Sequence, residues 1–138
     1  MNQADFQQLS EVRLQEALSL LEAGHYAGAY YLAGYSVECA LKACIAGQTE
    51  PHEFPDRVRA QRANVHDLEQ LVEVAKLETD LQDAQARNPV LRSSWTVIKD
   101  WDETSRYNRG ITGPRAEALL AACADGMNGL LPWIRSRW

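Results

Sequence analysis

The chain has 138 residues, 46% hydrophobic and 24% charged, the size and balance of one globular domain that can bury a core unaided. Fourteen Lys and Arg against nineteen Asp and Glu leave a net charge of −5, which excludes a general nucleic-acid coat, because that function needs many phosphate-neutralising cations. Three cysteines, at 39, 44 and 123, argue against a disulfide framework; no run of eighteen apolar residues offers a membrane span; and the polar stretch Met1 to Ser10 offers no secretion signal, so a cytoplasmic location is expected.

A first helix is predicted over Ala4 to Glu22, where Leu14, Ala17, Leu18 and Leu21 recur at spacings of three and four, and Gly24 stands where a C-terminal cap belongs. A second is predicted from Tyr26 to Ala46, with Tyr30, Ala33, Val37, Leu41, Cys44 and Ile45 as its apolar stripe. Its small residues, among them Ala29, Gly34, Ser36, Ala40 and Ala43, let a neighbour approach closely and mark it as the central helix. Gly28 and Gly34 each cost about 1 kcal/mol of helix propensity relative to Ala, and close packing is the compensation expected.

Gly47 to Asn64, with Pro51 and Pro55 followed by Arg57, Arg59 and Arg62, reads as a long connection with a helical tail. A third helix is predicted from Val65 or His66, capped by Asn64, with Asp67 and Glu69 in its first turn and Leu68, Leu71, Val72 and Ala75 buried. A short helical piece, Thr79 to Ala86, follows. Pro89 opens a fourth helix whose inward face is Leu91, Ser94, Trp95, Ile98 and Trp101 and which frays near Tyr107 to Gly110. After a turn at Ile111 to Pro114, a last helix runs to about Arg135, with Pro132 bending or ending it. With no strand run and no sustained repeat, residues 1–138 read as a single all-α domain, a four- to five-helix up-and-down bundle.

Charge is uneven along the chain. Residues 87–115 hold six bases and three acids, a local +3 in an acidic protein, whereas residues 66–83 hold six acids and one base. The basic excess is either a solvated face or a site for an anion such as phosphate. On the second helix Tyr31, Tyr35, Glu38 and Lys42 follow at spacings of four, three and four and share a face. Glu38 to Lys42 is the favourable orientation for a helix ion pair; the same face is equally a polar groove in which Glu38 holds a cation from another helix. The histidines at 25, 52 and 66 lack zinc-like spacing and no metal site is expected. His66, at a helix start, reads as a capping or packing residue, and Cys39 and Cys44 read as core. No phosphate loop or nucleophile elbow is visible, so no cofactor is expected.

The stretch from Ala29-Tyr30-Tyr31-Leu32-Ala33-Gly34-Tyr35 through Val37-Glu38 to Ala40-Leu41-Lys42 resembles the second helix of the HEPN-domain family. Ala23 to Ala29 is similar to that family's lead-in, His66-Asp67-Leu68-Glu69-Gln70-Leu71 to its next helix start, and Trp101 with Arg106-Tyr107 to a segment of one subgroup. The resemblance implies a HEPN-like helical bundle, a homodimer, and a place in RNA processing, defence or toxin–antitoxin systems, either as a metal-independent endoribonuclease or as a non-catalytic partner beside a nucleotidyltransferase. The ribonuclease members use Arg, four to six residues, then His: the guanidinium fork holds the scissile phosphate and the imidazole moves protons. Here no His follows Arg106. Arg59 and His66 have six residues between them, a formal match that falls in the connection rather than at the family's catalytic turn.

Three functions remain in view. The first is a HEPN-like protein with a degenerate ribonuclease site that binds RNA or nucleotide phosphate, with Arg106 and Arg109 on the phosphate, Glu38 orienting Arg106, Tyr35 or Tyr107 stacking, and Lys42 on the same face. The second is a non-catalytic helical interaction partner, antitoxin-like or nucleotidyltransferase-associated. The third is an active endoribonuclease using Arg59 and His66.

Overall fold

Two long helices frame the molecule. In the computed structural model, which describes residues 1–49 and 56–138, α1 (Gln3–Glu22) starts on a reciprocal cap: Asn2 Oδ1 accepts from Asp5 N, and the Asp5 carboxylate accepts from Asn2 N, both at 2.9 Å. It ends on Gly24 at φ +81°, where His25 N donates to Leu20 O and Gly24 N to Leu21 O, satisfying two terminal carbonyls. Glycine is free to take that left-handed turn. The chain reverses into α2 (Tyr26–Gly47), which runs antiparallel to α1. The small residues on α2 do what their pattern predicts: Ala29, Ala33, Gly34, Ser36, Ala40 and Ala43 are all buried. Midway along the hairpin Ser10 Oγ donates to Ser36 O and Ser36 Oγ to Ser10 O, each at 2.8 Å, so two buried hydroxyls are satisfied across one helix contact.

The remaining elements wrap α2: α3 (Arg57–Ala63), α4 (Leu68–Val74), α5 (Glu78–Arg87), α6 (Pro89–Ile98), a 3-10 turn (Glu103–Tyr107), α7 (Gly113–Ala124) and α8 (Leu130–Arg135). α2 packs against α1, α4, α7, α8 and the 3-10 turn and is the axis of the core. Leu41, Leu68, Leu71, Ile98, Leu119, Leu131 and Ile134 close it without solvent contact beyond 1%. Among the described residues there is no strand, and no helix is long and apolar enough to cross a membrane.

The all-α expectation holds; the element boundaries need four corrections. The connection carries a complete short helix, α3, capped by Asp56, and Asn64 closes that helix instead of opening the next. The next helix starts at Leu68, with Asp67 accepting from Gln70 N at 3.1 Å, because His66 is drawn aside to α2. The fourth helix stops at Ile98, and Tyr107 belongs to a separate 3-10 turn capped by Asp102. The last helix is two: Asp125 leaves the helical region, its carboxylate accepts from Asn128 N at 2.7 Å, and Gly129 restarts the chain, so Pro132 sits in the first turn of α8 where its missing N–H costs nothing.

α4 closes with the same hydrogen-bond pattern as α1, Lys76 N to Glu73 O and Leu77 N to Val72 O, but the left-handed position at φ +60° is a lysine. A Cβ is strained there. Lys76→Gly is therefore expected to stabilise the fold by roughly 0.5–1 kcal/mol, visible as a higher Tm; a lower Tm would show that the lysine's charge at the helix end outweighs the strain.

Candidate functional site

The tyrosine-bearing face of α2 and the segment after α6 meet. Gly34 has no side chain, and the Trp101 indole lies flat against the space a Cβ would fill. Trp101 is 2% exposed and stacks on Tyr31, ring centroids 6.1 Å apart at 27°; Tyr31 stacks in turn on Tyr35 at 6.1 Å and 9°. Two residues beyond Trp101 the 3-10 turn begins and carries Arg106 and Tyr107 to the outer edge of this stack. The Arg106 guanidinium sits over the Tyr107 ring, 4.8 Å from its centroid. The Tyr107 phenol, and behind it that of Tyr31, raise its pKa above the ordinary arginine value, and the guanidinium is solvent-exposed. Arg109 is exposed in the turn that follows.

Glu38 does not orient Arg106. Its carboxylate, 1% exposed, accepts from Lys42 Nζ at 2.8 Å and pairs with His66 Nδ1 at 3.0 and 3.1 Å. A buried carboxylate must be compensated nearby, and the two groups within reach are one turn along α2 and in the extended residues before α4. With Nδ1 on Glu38, the His66 side chain remains 51% exposed. His66 is thus held by a carboxylate instead of capping a helix.

Arg59 lies elsewhere. Its guanidinium binds the Gln48 side-chain oxygen and Val74 O, and Gln48 Nε2 donates to Ala75 O, so both residues close the C-terminus of α4. His66 faces a different cavity from Arg59, and the formal Arg-to-His spacing does not place the two on one substrate. His52 lies outside the described residues.

The cavity beside His66, of about 720 Å³, is acidic: Asp67, Glu69, Asp100, Asp102 and Glu103 line it against Lys99. Five carboxylates repel a polyanion there, while Arg106 and Arg109 stand at the far end of the 3-10 turn. Among the described residues no three His, Cys, Asp or Glu side chains converge as a metal would require.

Burial shapes the neutral groups of the face. It raises the Tyr35 pKa, with Cys39 and Glu38 adding to the effect, and lifts the thiols of Cys39 and Cys44 to about 11 and that of Cys123 to about 12. All three are free thiols that stay protonated at neutral pH. A thiol-specific reagent at pH 8 is expected to label the native chain slowly and the urea-unfolded chain at once. Folded pKa values above the unfolded value mean that this contribution to stability is present below pH 9 and is lost as pH rises through 11, so Tm is expected to fall between those values. Rapid native labelling, or a Tm flat to pH 11, would contradict the burial.

The all-helical fold and a second helix whose tyrosines, Glu38 and Lys42 share one face define a class of small helical domains. A model of the HEPN domain matches residues 6–122, most of the chain, and the chain belongs to the HEPN family. Members of that family often form dimers and often act as ribonucleases or in toxin–antitoxin systems. No curated protein and no solved structure matches the chain.

Proposed function

We propose that this HEPN protein binds single-stranded RNA through Arg106 and Arg109, with Tyr107 and the Tyr31–Tyr35 face beside them, and does so without cleaving it. The observation that carries the reading is the exposed Arg106 guanidinium over the Tyr107 ring at the edge of an aromatic stack, a pairing of charge and π-surface suited to phosphate and base together. The only described imidazole near this face, His66, lies in an acidic cavity, which disfavours a scissile phosphate at its nitrogen. On this reading the protein works in the cytoplasm as a homodimer, within a toxin–antitoxin or defence system.

Fluorescence anisotropy with a fluorescein-labelled oligouridylate tests it. Arg106→Ala and Arg109→Ala are each expected to weaken binding and to reduce the salt slope of log K by about 0.7, one phosphate contact each. Unchanged binding in both variants overturns the assignment; a wild-type chain that binds no RNA but co-purifies with one protein partner, an antitoxin or nucleotidyltransferase, replaces it with the interaction-subunit reading.

One observation favours catalysis instead. A histidine held by a buried carboxylate is a proton carrier of fixed orientation. Cleavage of the same oligonucleotide in chelator, abolished by His66→Ala, would establish that second reading; an intact substrate after prolonged incubation removes it.

A further inference from the structure

The contribution of Arg106 depends on where its segment is held, and the hold is not made by Arg106 itself. After α6 ends at Ile98, the chain has one large side chain against α2 before the 3-10 turn, Trp101, buried on the bare backbone of Gly34. Its indole is stacked on Tyr31, which is stacked on Tyr35. The indole Nε1 is buried with no hydrogen-bond partner among the described residues, so the position has an aromatic surface and no polar contact there to hold it. Thr104 and Tyr107 are exposed, Glu103 and Ser105 are half-buried, and Asp102 caps the turn on itself through Thr104 N. The link from α2 to Arg106 therefore runs through ring-on-ring packing at Trp101 together with the apposition of the turn itself to α2.

We propose that Trp101, seated on Gly34, is a positioning residue for the RNA site: it sets the height and direction of Arg106 over the α2 face and touches no ligand itself. The inference rests on the reading of Arg106 as a phosphate contact. Tyr31 is the intermediary, because its ring meets Trp101 and it stands on α2, against which the 3-10 turn that carries Arg106 packs.

The test is a double-mutant cycle in binding, read with the same labelled oligouridylate. Gly34→Ala introduces a methyl group into the space held by the indole and shifts the segment without changing any charge. In the wild-type background it is expected to weaken binding about as much as Arg106→Ala and to reduce the salt slope by the same single contact, roughly 0.7. In the Arg106→Ala background it is expected to do nothing further, since the group it positions is gone. A purely structural role would leave the salt slope intact and weaken binding equally in both backgrounds, and that result overturns the proposal. Should Gly34→Ala fail to fold, Trp101→Leu carries the same cycle: it removes the ring that Tyr31 stacks on without changing any charge, and additivity with Arg106→Ala overturns the proposal. The failure of the underlying reading is separate, because there Arg106→Ala alone changes nothing.

Discussion

Glu38→Ala is expected to destabilise the folded chain by about 3 kcal/mol, a fall in Tm on the order of 10 °C for a domain of this size. The buried carboxylate is the counter-charge for Lys42, whose ammonium is within 2.8 Å and whose side chain is 16% exposed, and it also holds the more exposed His66 at 3.0 Å. Removing it leaves the Lys42 cation largely desolvated with no counter-charge. The cost stays below that of a fully enclosed pair because the lysine stem can carry its head toward water. His66→Ala is expected to cost less than about 1 kcal/mol, since that side chain is 51% exposed and Lys42 still neutralises Glu38. Urea denaturation of both variants checks the order. Equal and small losses would mean that the three groups do not interact in solution.

The second large effect belongs to Trp101. Trp101→Ala is expected to cost about 3 kcal/mol, because deleting a buried aromatic removes its burial and leaves a void between α2 and the 3-10 turn. Trp101→Phe is expected to cost much less, below about 1.5 kcal/mol. Phenylalanine keeps a ring for Tyr31 to stack on and removes an indole N–H that has no partner among the described residues, a group whose burial is itself unfavourable. Chemical denaturation of the two variants gives the ratio. If Phe is as damaging as Ala, the indole nitrogen makes a contact that matters and the stacking account is wrong.

Much of this architecture was legible from residue pattern. The α2 stripe and its small residues announce a central helix, and Gly24, Pro89 and Pro114 mark helix ends by mechanisms that act within a few residues. The break between α7 and α8 was also written locally, as Asp125-Gly126 and Asn128-Gly129, two turn dipeptides inside an otherwise helical stretch. Apolar spacing on both sides masked them. The partner of Glu38 was not legible. Glu38 and His66 are 28 positions apart, and nothing in either neighbourhood says which cation the buried carboxylate takes; the packing of α4 against α2 decides it. Arg59 shows the converse: a spacing that fits a catalytic motif belongs to a residue closing a neighbouring helix. The stack of Tyr35, Tyr31 and Trp101 lies between. The sequence puts Tyr31 and Tyr35 on one face and Trp101 in the core, but Trp101 lies beyond the end of α6, and its contact with Tyr31 depends on the absence of a side chain at Gly34, which a propensity scale records only as a penalty.

The mutual bonds of Ser10 and Ser36 fix more than one contact. Each hydroxyl reaches the other helix's carbonyl, so the pair closes at a single alignment, and sliding α1 along α2 by a turn would break both bonds at once. Insertions or deletions between these serines and the Gly24 bend must therefore occur as matched changes in both arms, whereas residues can be trimmed from the open end of the hairpin, near Gln3, without shifting the phase. A library of single-residue deletions along α1 would show that asymmetry as a step in tolerance at Ser10.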